Sequence, residues 1–311
     1  MIRGLHHVTA TVSGAQADLD FYVGVLGLRL VKKTVNFDNH HVFHFYYGDE
    51  RGTPGTIMTT FPYAGMGVPV GRKGSGQVTA TAFAVPAGSL ASWRARLIER
   101  KVAVTSEGVR FGDPFVAVED PSSLAIELIE AAADTRKPWE SGPVDPSIAI
   151  RGLHTVTLSL RDVDRSVGLL TGSLGYAVAG NEGARTRVGV GPGGAGSSLD
   201  MLHSPDTPAG VNGLGTVHHV AMAIGTEEEQ LAIRSRLMGL GIGVTEVRDR
   251  QYFKSIYFRE PGGVLYEIAT VAPGFAVDEE LSQLGRLLKL PPWEEPHRAL
   301  IEAGLPPVSH S

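Results

Sequence analysis

Near its beginning the chain reads Arg3-Gly4-Leu5-His6-His7-Val8-Thr9, and 148 residues later it reads Arg151-Gly152-Leu153-His154-Thr155-Val156-Thr157. The two stretches are identical at six of seven positions. A second similarity links residues 120–127 with residues 260–267, at an offset of 140. Repeats on this scale indicate an architecture made by duplication. We therefore predict two halves, each of which is itself doubled.

Each repeat unit has the pattern of one strand, one helix and three further strands. In the first unit, residues 5–12 have the pattern of a strand, and Ser13 and Gln16 have the spacing of a capping box. A helix is predicted over 15–25, and Gly27 is placed to end it. Three strands are predicted over 28–35, 42–47 and 56–61. The same pattern in the other units predicts an α+β fold of four βαβββ units.

The units group into two tandem domains in the sequence. We predict a first domain over 1–136 and a second over 151–272, with two units in each. Residues 137–150 are rich in proline and are predicted to be a linker. Residues 273–311 are predicted to form a C-terminal helical arm, with one helix over 279–288.

Composition excludes several classes of function. The 311 residues include 28 Lys and Arg against 33 Asp and Glu, so a net charge of −5 gives no electrostatic reason to bind nucleic acid or an anionic membrane. No apolar run approaches the roughly 18 residues of a membrane span, and no secretory signal is apparent, so we expect a cytoplasmic protein. The absence of cysteine excludes thiolate-bound metals and thiol nucleophiles. A metal would have to be held by His, Asp or Glu.

Alignment of the repeats selects a candidate metal-binding group. His7 and His219 occupy equivalent positions in the opening strands of units one and four, and Glu267 lies in the closing strand of unit four. Residues that share a phase along paired strands face the same side of the sheet. Two histidines and one carboxylate form the facial triad that leaves open positions on Fe(II) or Mn(II).

Units two and three carry weaker counterparts of these residues. The alignment places Thr79 and Thr155 at the histidine positions, with Glu127 equivalent to Glu267 and Asp200 as a looser match in unit three. Both imidazoles are missing from this set. We therefore predict one active site and one vestigial site.

A second ligand set remains open at this stage. His154, His219 and Glu267 all lie in the second half and have spacings of 65 and 48 residues. In the alignment His154 matches His6 rather than His7, so its side chain should face away from the ligand group. A slip of one residue in strand register would reverse those faces.

Several motifs resemble the vicinal-oxygen-chelate superfamily, which includes glyoxalase I, bleomycin-resistance proteins and extradiol dioxygenases. The sequence is most similar to the hydroquinone ring-cleaving dioxygenases within it, and the likeness covers nearly the whole chain. The motifs that carry the resemblance are Gly4-Leu5-His6-His7-Val8-Thr9, Phe45-Tyr46-Tyr47-Gly48-Asp49, Gly71-Arg72-Lys73-Gly74, Val217-His218-His219 and Tyr257-Phe258-Arg259-Glu260-Pro261-Gly262-Gly263.

The resemblance implies roles for individual residues. It implies His7, His219 and Glu267 as metal ligands, the same set that the internal alignment selects. It also implies a group of catalytic or supporting residues around the metal: His6, Thr9, His218, Arg250 and Tyr257.

By this resemblance the protein is expected to be a non-haem Fe(II)-dependent ring-cleaving dioxygenase, with Mn(II) as the alternative metal. Its partners would be O₂ and a small aromatic substrate, a hydroquinone or related dihydroxyarene. The alternatives are a glyoxalase-like metal-dependent isomerase or lyase, and a metal-free binding or resistance protein for a small aromatic compound. The sequence leaves open whether the chain forms a homo-oligomer.

Overall fold

Each of the four units contains four strands and one helical connection. The computed structural model describes residues 1–309. The strands of the first and second units are β1 (Leu5–Val12), β2 (Arg29–Asn36), β3 (Asn39–Gly48), β4 (Ile57–Pro62), β5 (Gln77–Val85), β6 (Val104–Arg110), β7 (Asp113–Glu119) and β8 (Ala125–Glu130). Those of the third and fourth are β9 (Gly152–Leu160), β10 (Tyr176–Glu182), β11 (Arg185–Val190), β12 (Ser198–His203), β13 (Thr216–Ile224), β14 (Arg248–Asp249), β15 (Lys254–Arg259) and β16 (Leu265–Thr270).

A helix follows the first strand of every unit. These helices are α1 (Ala15–Leu19), α2 (Leu90–Glu99), α3 (Val163–Ser173) and α4 (Glu227–Gly239), and a fifth, α5 (Arg298–Gly304), lies in the C-terminal arm. No helix within residues 1–309 is long and apolar enough to cross a membrane.

Two eight-stranded sheets organise the molecule. The first has the strand order β14-β15-β16-β13-β1-β4-β3-β2, and the second has the order β10-β11-β12-β9-β5-β8-β7-β6. The first sheet thus joins units one and four through the antiparallel pair β1 and β13, and the second joins units two and three through β5 and β9. The predicted α+β fold of four βαβββ units is confirmed. The domain boundaries near 136, 151 and 272 stay predictions.

Strand β1 lies inside the first sheet and is buried along its entire length, as is β9 inside the second sheet. Such burial on both faces is expected for central strands that are covered on both sides. Because unit one supplies β1 and unit four supplies β13, residues 212 positions apart in sequence become neighbours across one ladder.

The start of the first helical connection differs from the prediction. Ser13 does not cap α1, because its backbone N–H and its hydroxyl both bond the hydroxyl of Ser122. Gly14 is the N-cap residue and, having no side chain, provides no capping hydrogen bond. The predicted helix over 15–25 is α-helical only to Leu19 and continues as a π-helical turn over Asp20–Val25.

The predicted helix over 279–288 is wrong. That stretch contains one 3-10 turn, Leu281–Gln283, and then runs along the edge of the first sheet. Gly285 adopts φ +79° against the Leu30 carbonyl, where a side chain would collide. The arm is anchored by Lys32, which is fully buried and pairs with the carboxylates of Asp278 at 2.6 Å and Glu279 at 2.5 Å.

Candidate metal centre

Three buried side chains meet on the first sheet. His7 stands on β1, His219 on β13 and Glu267 on β16, and these strands are neighbours in the order β16-β13-β1. The His7 and His219 Nε2 atoms lie 3.2 Å apart. Glu267 Oε2 lies 3.2 Å from His7 Nε2 and 2.8 Å from His219 Nε2. Within residues 1–309 this is the group of His and acidic side chains whose ligand atoms converge closely enough to hold a metal ion.

The dimensions of this triangle suit a divalent cation. With bonds of about 2.0–2.2 Å, ligand atoms on one face of an octahedron lie about 2.8–3.1 Å apart. Glu267 Oε2 is buried and accepts no hydrogen bond among the described residues, so a cation would satisfy it. Burial alone would raise the pKa of Glu267, but the two imidazoles hold that pKa well below its usual range. The carboxylate is therefore available as an anionic ligand.

Two β-bulges explain why each histidine doublet presents both rings together. The register between β1 and β13 shifts between Leu5 and His7, and again opposite His218. Adjacent residues on a regular strand point to opposite faces, whereas a bulge leaves one extra residue that can turn to the same side. As a result His6 Nδ1 lies 2.8 Å from His7 Nδ1, and His218 Nδ1 lies 2.8 Å from His219 Nδ1.

These contacts fix the protonation of the ligand histidines. When Nε2 of His7 or His219 binds a cation, Nδ1 of that ring must carry the ring proton and donate a hydrogen bond to the neighbouring imidazole. Burial and the neighbouring His7 lower the pKa of His6 to about 3, and burial and His219 lower that of His218 to about 3, so both neighbours are neutral acceptors.

The two doublet partners differ in their surroundings. His218 lines the cavity beside the candidate ligands. His6 is buried, packs against the ring of Phe253 with centroids 4.9 Å apart, and lies beside the backbone of Thr270. His6 is therefore held on both sides by protein.

Glu267 is also held by a residue that the sequence reasoning missed. The hydroxyl of Ser255, on the adjacent strand β15, donates a hydrogen bond to Glu267 Oε1. Ser255 is fully buried. Ser255 lies two positions before Tyr257 on the same strand and therefore faces the same side of the sheet. This shared side was the one signal in the sequence that could have identified Ser255.

Arg250 and Tyr257 form a pair at the cavity wall. Arg250 Nε donates to the Tyr257 hydroxyl at 3.1 Å, and its guanidinium bonds Asp38 at 3.1 Å. Asp38 lies in the turn between β2 and β3, so this contact links units one and four across the cavity. Burial raises the pKa of Tyr257, which keeps its hydroxyl protonated.

The cavity next to the ligand group has a volume of about 290 Å³. Thr9 lines this cavity and accepts a hydrogen bond from the Thr59 hydroxyl at 3.0 Å. The wall is largely aromatic. It includes His44, Tyr46, Phe61, Phe253 and Tyr257.

In the second sheet, arginines occupy the region equivalent to the ligand group. Glu127 pairs with Arg110 at 2.6 and 2.9 Å. Asp200 pairs with Arg187 at 2.6 and 2.9 Å. Paired guanidinium groups supply the positive charge that a metal would otherwise bring.

The strand register corrects one predicted equivalence. Thr155 stands at the position of His7, as expected. Ala80 rather than Thr79 stands at that of His219, because Thr79 is the bulged residue of β5 and so corresponds to His218, the bulged residue of β13. His154 lies in this second sheet, with Nε2 3.9 Å from Asp113, and does not belong to the His7 group.

Comparison with known proteins agrees with this geometry. A family model described as the Glyoxalase/Bleomycin resistance protein/Dioxygenase superfamily matches residues 4–128 and 152–268. The chain belongs to this superfamily. The resemblance read from the sequence motifs is thus confirmed.

Members of the superfamily with similar sequences are named as ring-cleaving enzymes. A Bacillus subtilis protein, MhqO, provisionally named a ring-cleaving dioxygenase, is 44% identical over 98% of this chain and 96% of its own length. The chlorohydroquinone/hydroquinone 1,2-dioxygenase of Sphingobium indicum is 38% identical over 94% of this chain and 92% of its own length.

Solved structures show the same fold. A crystal structure of a Bacillus subtilis protein provisionally described as a dioxygenase has a TM-score of 0.94 and 43% identity, covering 99% of this chain and 98% of that one. Glyoxalase I from Zea mays has a TM-score of 0.66 at 16% identity, covering 91% and 97% of the two chains. The second likeness concerns the fold alone.

Proposed function

We propose that this chain is a metal-dependent dioxygenase that cleaves the aromatic ring of a hydroquinone or related dihydroxyarene, with Fe(II) as its metal and Mn(II) as the alternative. The observation that carries the proposal is the convergence of His7, His219 and Glu267 at the wall of an aromatic cavity. The names of relatives that are 38–44% identical over almost the full chain support it.

In this proposal His7 Nε2, His219 Nε2 and Glu267 Oε2 hold the metal. When bound, such a metal supplies a means of joining an electron-rich ring to O₂. One carboxylate and two neutral imidazoles leave a net positive charge at the centre. That charge favours the anionic form of a bound phenol.

The cavity residues then bind and orient the substrate. His218 Nδ1 accepts a hydrogen bond from His219 Nδ1–H, which leaves the His218 Nε2–H as a donor toward oxygen atoms in the cavity. The Tyr257 hydroxyl and the Arg250 guanidinium are further donors, and a donor aimed at developing negative charge lowers the barrier to reaction. Phe61 and Phe253 provide apolar walls suited to a single aromatic ring.

The remaining two predicted residues have supporting roles in the proposal. His6 fixes the ring of His7 from the side away from the cavity. Thr9 receives the hydrogen bond that Thr59 donates, and so fixes the polar side of the cavity.

Oxygen consumption distinguishes this function from its alternatives. The protein is purified without O₂, loaded with Fe(II), analysed for metal and mixed with hydroquinone in an oxygen electrode. We expect about one Fe per chain, one O₂ consumed per hydroquinone, and a ring-opened acid as product. A glyoxalase-like isomerase or lyase would retain metal but consume no O₂. A metal-free binding protein would retain no metal.

A further inference from the structure

His44 lies on the far side of the cavity from the ligand group and belongs to none of the motifs that identify the centre. It stands on β3, which is separated from the His7 strand by β4. Its imidazole packs on Tyr46, with ring centroids 4.0 Å apart, and on Phe61, at 4.3 Å. The side chain is half-buried and lines the cavity.

A chain of hydrogen bonds fixes the tautomer of His44. The Nε2 atom of His44 lies 2.8 Å from the Thr59 hydroxyl. The Thr59 hydroxyl in turn donates a hydrogen bond to the Thr9 hydroxyl at 3.0 Å. A hydroxyl has one proton to donate, so Thr59 must accept from His44 Nε2–H. A neutral imidazole with its proton on Nε2 has a lone pair on Nδ1.

That lone pair is available to a ligand. Nδ1 of His44 makes no hydrogen bond within residues 1–309. Among other polar groups of the cavity, Asn36 bonds the Tyr63 hydroxyl at 3.1 Å, and the paired Arg250 and Tyr257 side chains are donors. The cavity therefore has donors beside the ligand group and an acceptor at its far side.

We propose that His44 determines specificity: its Nδ1 accepts a hydrogen bond from the second hydroxyl of a dihydroxyarene whose first hydroxyl lies at the His7, His219 and Glu267 group. This inference rests on the proposed function and names the feature of the substrate that His44 selects. Neighbouring strands lie about 4.8 Å apart and β3 lies two strands from β1, so His44 is separated from the candidate ligand group by roughly the length of one aromatic ring with a hydroxyl at each end. A site built to pair a substrate hydroxyl rejects an analogue that lacks one.

Two substitutions test the roles of the two His44 nitrogen atoms separately. His44→Asn places an amide oxygen near the position of Nδ1 and loses the contact with Thr59. His44→Gln places an amide nitrogen near the position of Nε2, so it can keep the contact with Thr59 while it loses the acceptor at Nδ1. Circular dichroism and metal content check that both variants fold and load Fe(II).

The measurement is the anaerobic dissociation constant of the Fe(II)-loaded protein for hydroquinone and for 4-methylphenol, in which a methyl group replaces the second hydroxyl. We expect the wild type to prefer hydroquinone by about 10- to 100-fold, the effect of one well-placed hydrogen bond. His44→Gln should abolish this preference, and His44→Asn should retain most of it.

The opposite ranking, with preference kept in His44→Gln and lost in His44→Asn, would show that His44 acts only through Thr59 and would overturn the inference. A preference unchanged in both variants would also overturn it. Failure of the proposed function gives a different result: the wild type itself would bind no hydroquinone or consume no O₂ with it.

Discussion

The Ser255 hydroxyl donates a hydrogen bond to Glu267 Oε1 from the neighbouring strand, while Glu267 Oε2 faces the two candidate ligand histidines, His7 and His219. Each carboxylate oxygen thus has a separate partner, and the carboxylate offers a single oxygen to a metal. Supporting bonds of this kind orient ligands and typically change metal affinity by about 10- to 100-fold.

Ser255→Ala should therefore weaken metal binding by about 10-fold or more, because the carboxylate loses its fixed orientation. The affinity for Mn(II) is measured by titration calorimetry on metal-free protein. Ser166→Ala is a matched control, since Ser166 is also buried and donates to a buried carboxylate, Glu260, outside the candidate centre. Equal losses of Mn(II) affinity in both variants would argue against an orienting role for Ser255.

Replacement of the candidate ligand carboxylate should remove the metal. Glu267→Gln keeps the shape of the side chain but removes the charge that offsets a divalent cation, so metal content and oxygen uptake should fall together. Glu127→Gln is the matched control, because Glu127 holds the equivalent position in the second sheet and pairs with Arg110. It should retain about one metal per chain. Loss of metal from Glu127→Gln but not from Glu267→Gln would reverse the assignment of the active and vestigial sites.

A buried acid on α1 should make stability depend on pH. Burial raises the pKa of Asp18 to about 7, although the hydroxyls of Thr60 and Tyr47 donate to it. The folded protein therefore holds a proton that the unfolded chain loses near pH 4, so the contribution of Asp18 to stability falls as the pH rises from about 4 to about 7.

Asp18→Asn removes this titration and retains an acceptor for the two hydroxyls. The free energy of unfolding of Asp18→Asn minus that of the wild type, measured by urea denaturation, should increase by roughly 1–3 kcal/mol between pH 5 and pH 7. A difference between the two proteins that stays constant over this range would show that Asp18 does not titrate there.

The sequence was sufficient to select the three side chains that converge at the candidate centre, but not the residues that support them. The internal repeat related His7 to His219 and Glu127 to Glu267, because duplicated strands preserve phase even when a ligand is lost. The same comparison failed by one residue at Thr79, which stands at the bulged position that His218 holds in β13, so Ala80 is the counterpart of His219. The contact of Ser255 with Glu267 depends on the register of β15 against β16, in which Tyr257 rather than Ser255 stands opposite Glu267, and the alternation of residues along the strands does not specify that register.

The two doublet partners, His6 and His218, should differ in function because the Nε2 atoms of their rings have different surroundings. His218 lines the cavity, whereas His6 is enclosed by Phe253 and the Thr270 backbone. At saturating Fe(II), His218→Ala should retain metal and slow oxygen uptake by about 10²–10⁴-fold, the usual contribution of a positioned proton donor. His6→Ala should weaken Fe(II) binding and leave the rate of the loaded enzyme nearly unchanged, because His6 contacts His7 rather than the substrate.

Both variants are compared by Fe(II) titration and by steady-state oxygen uptake. Full activity in His218→Ala would remove His218 from the reaction and leave both doublet partners as supports for the metal ligands.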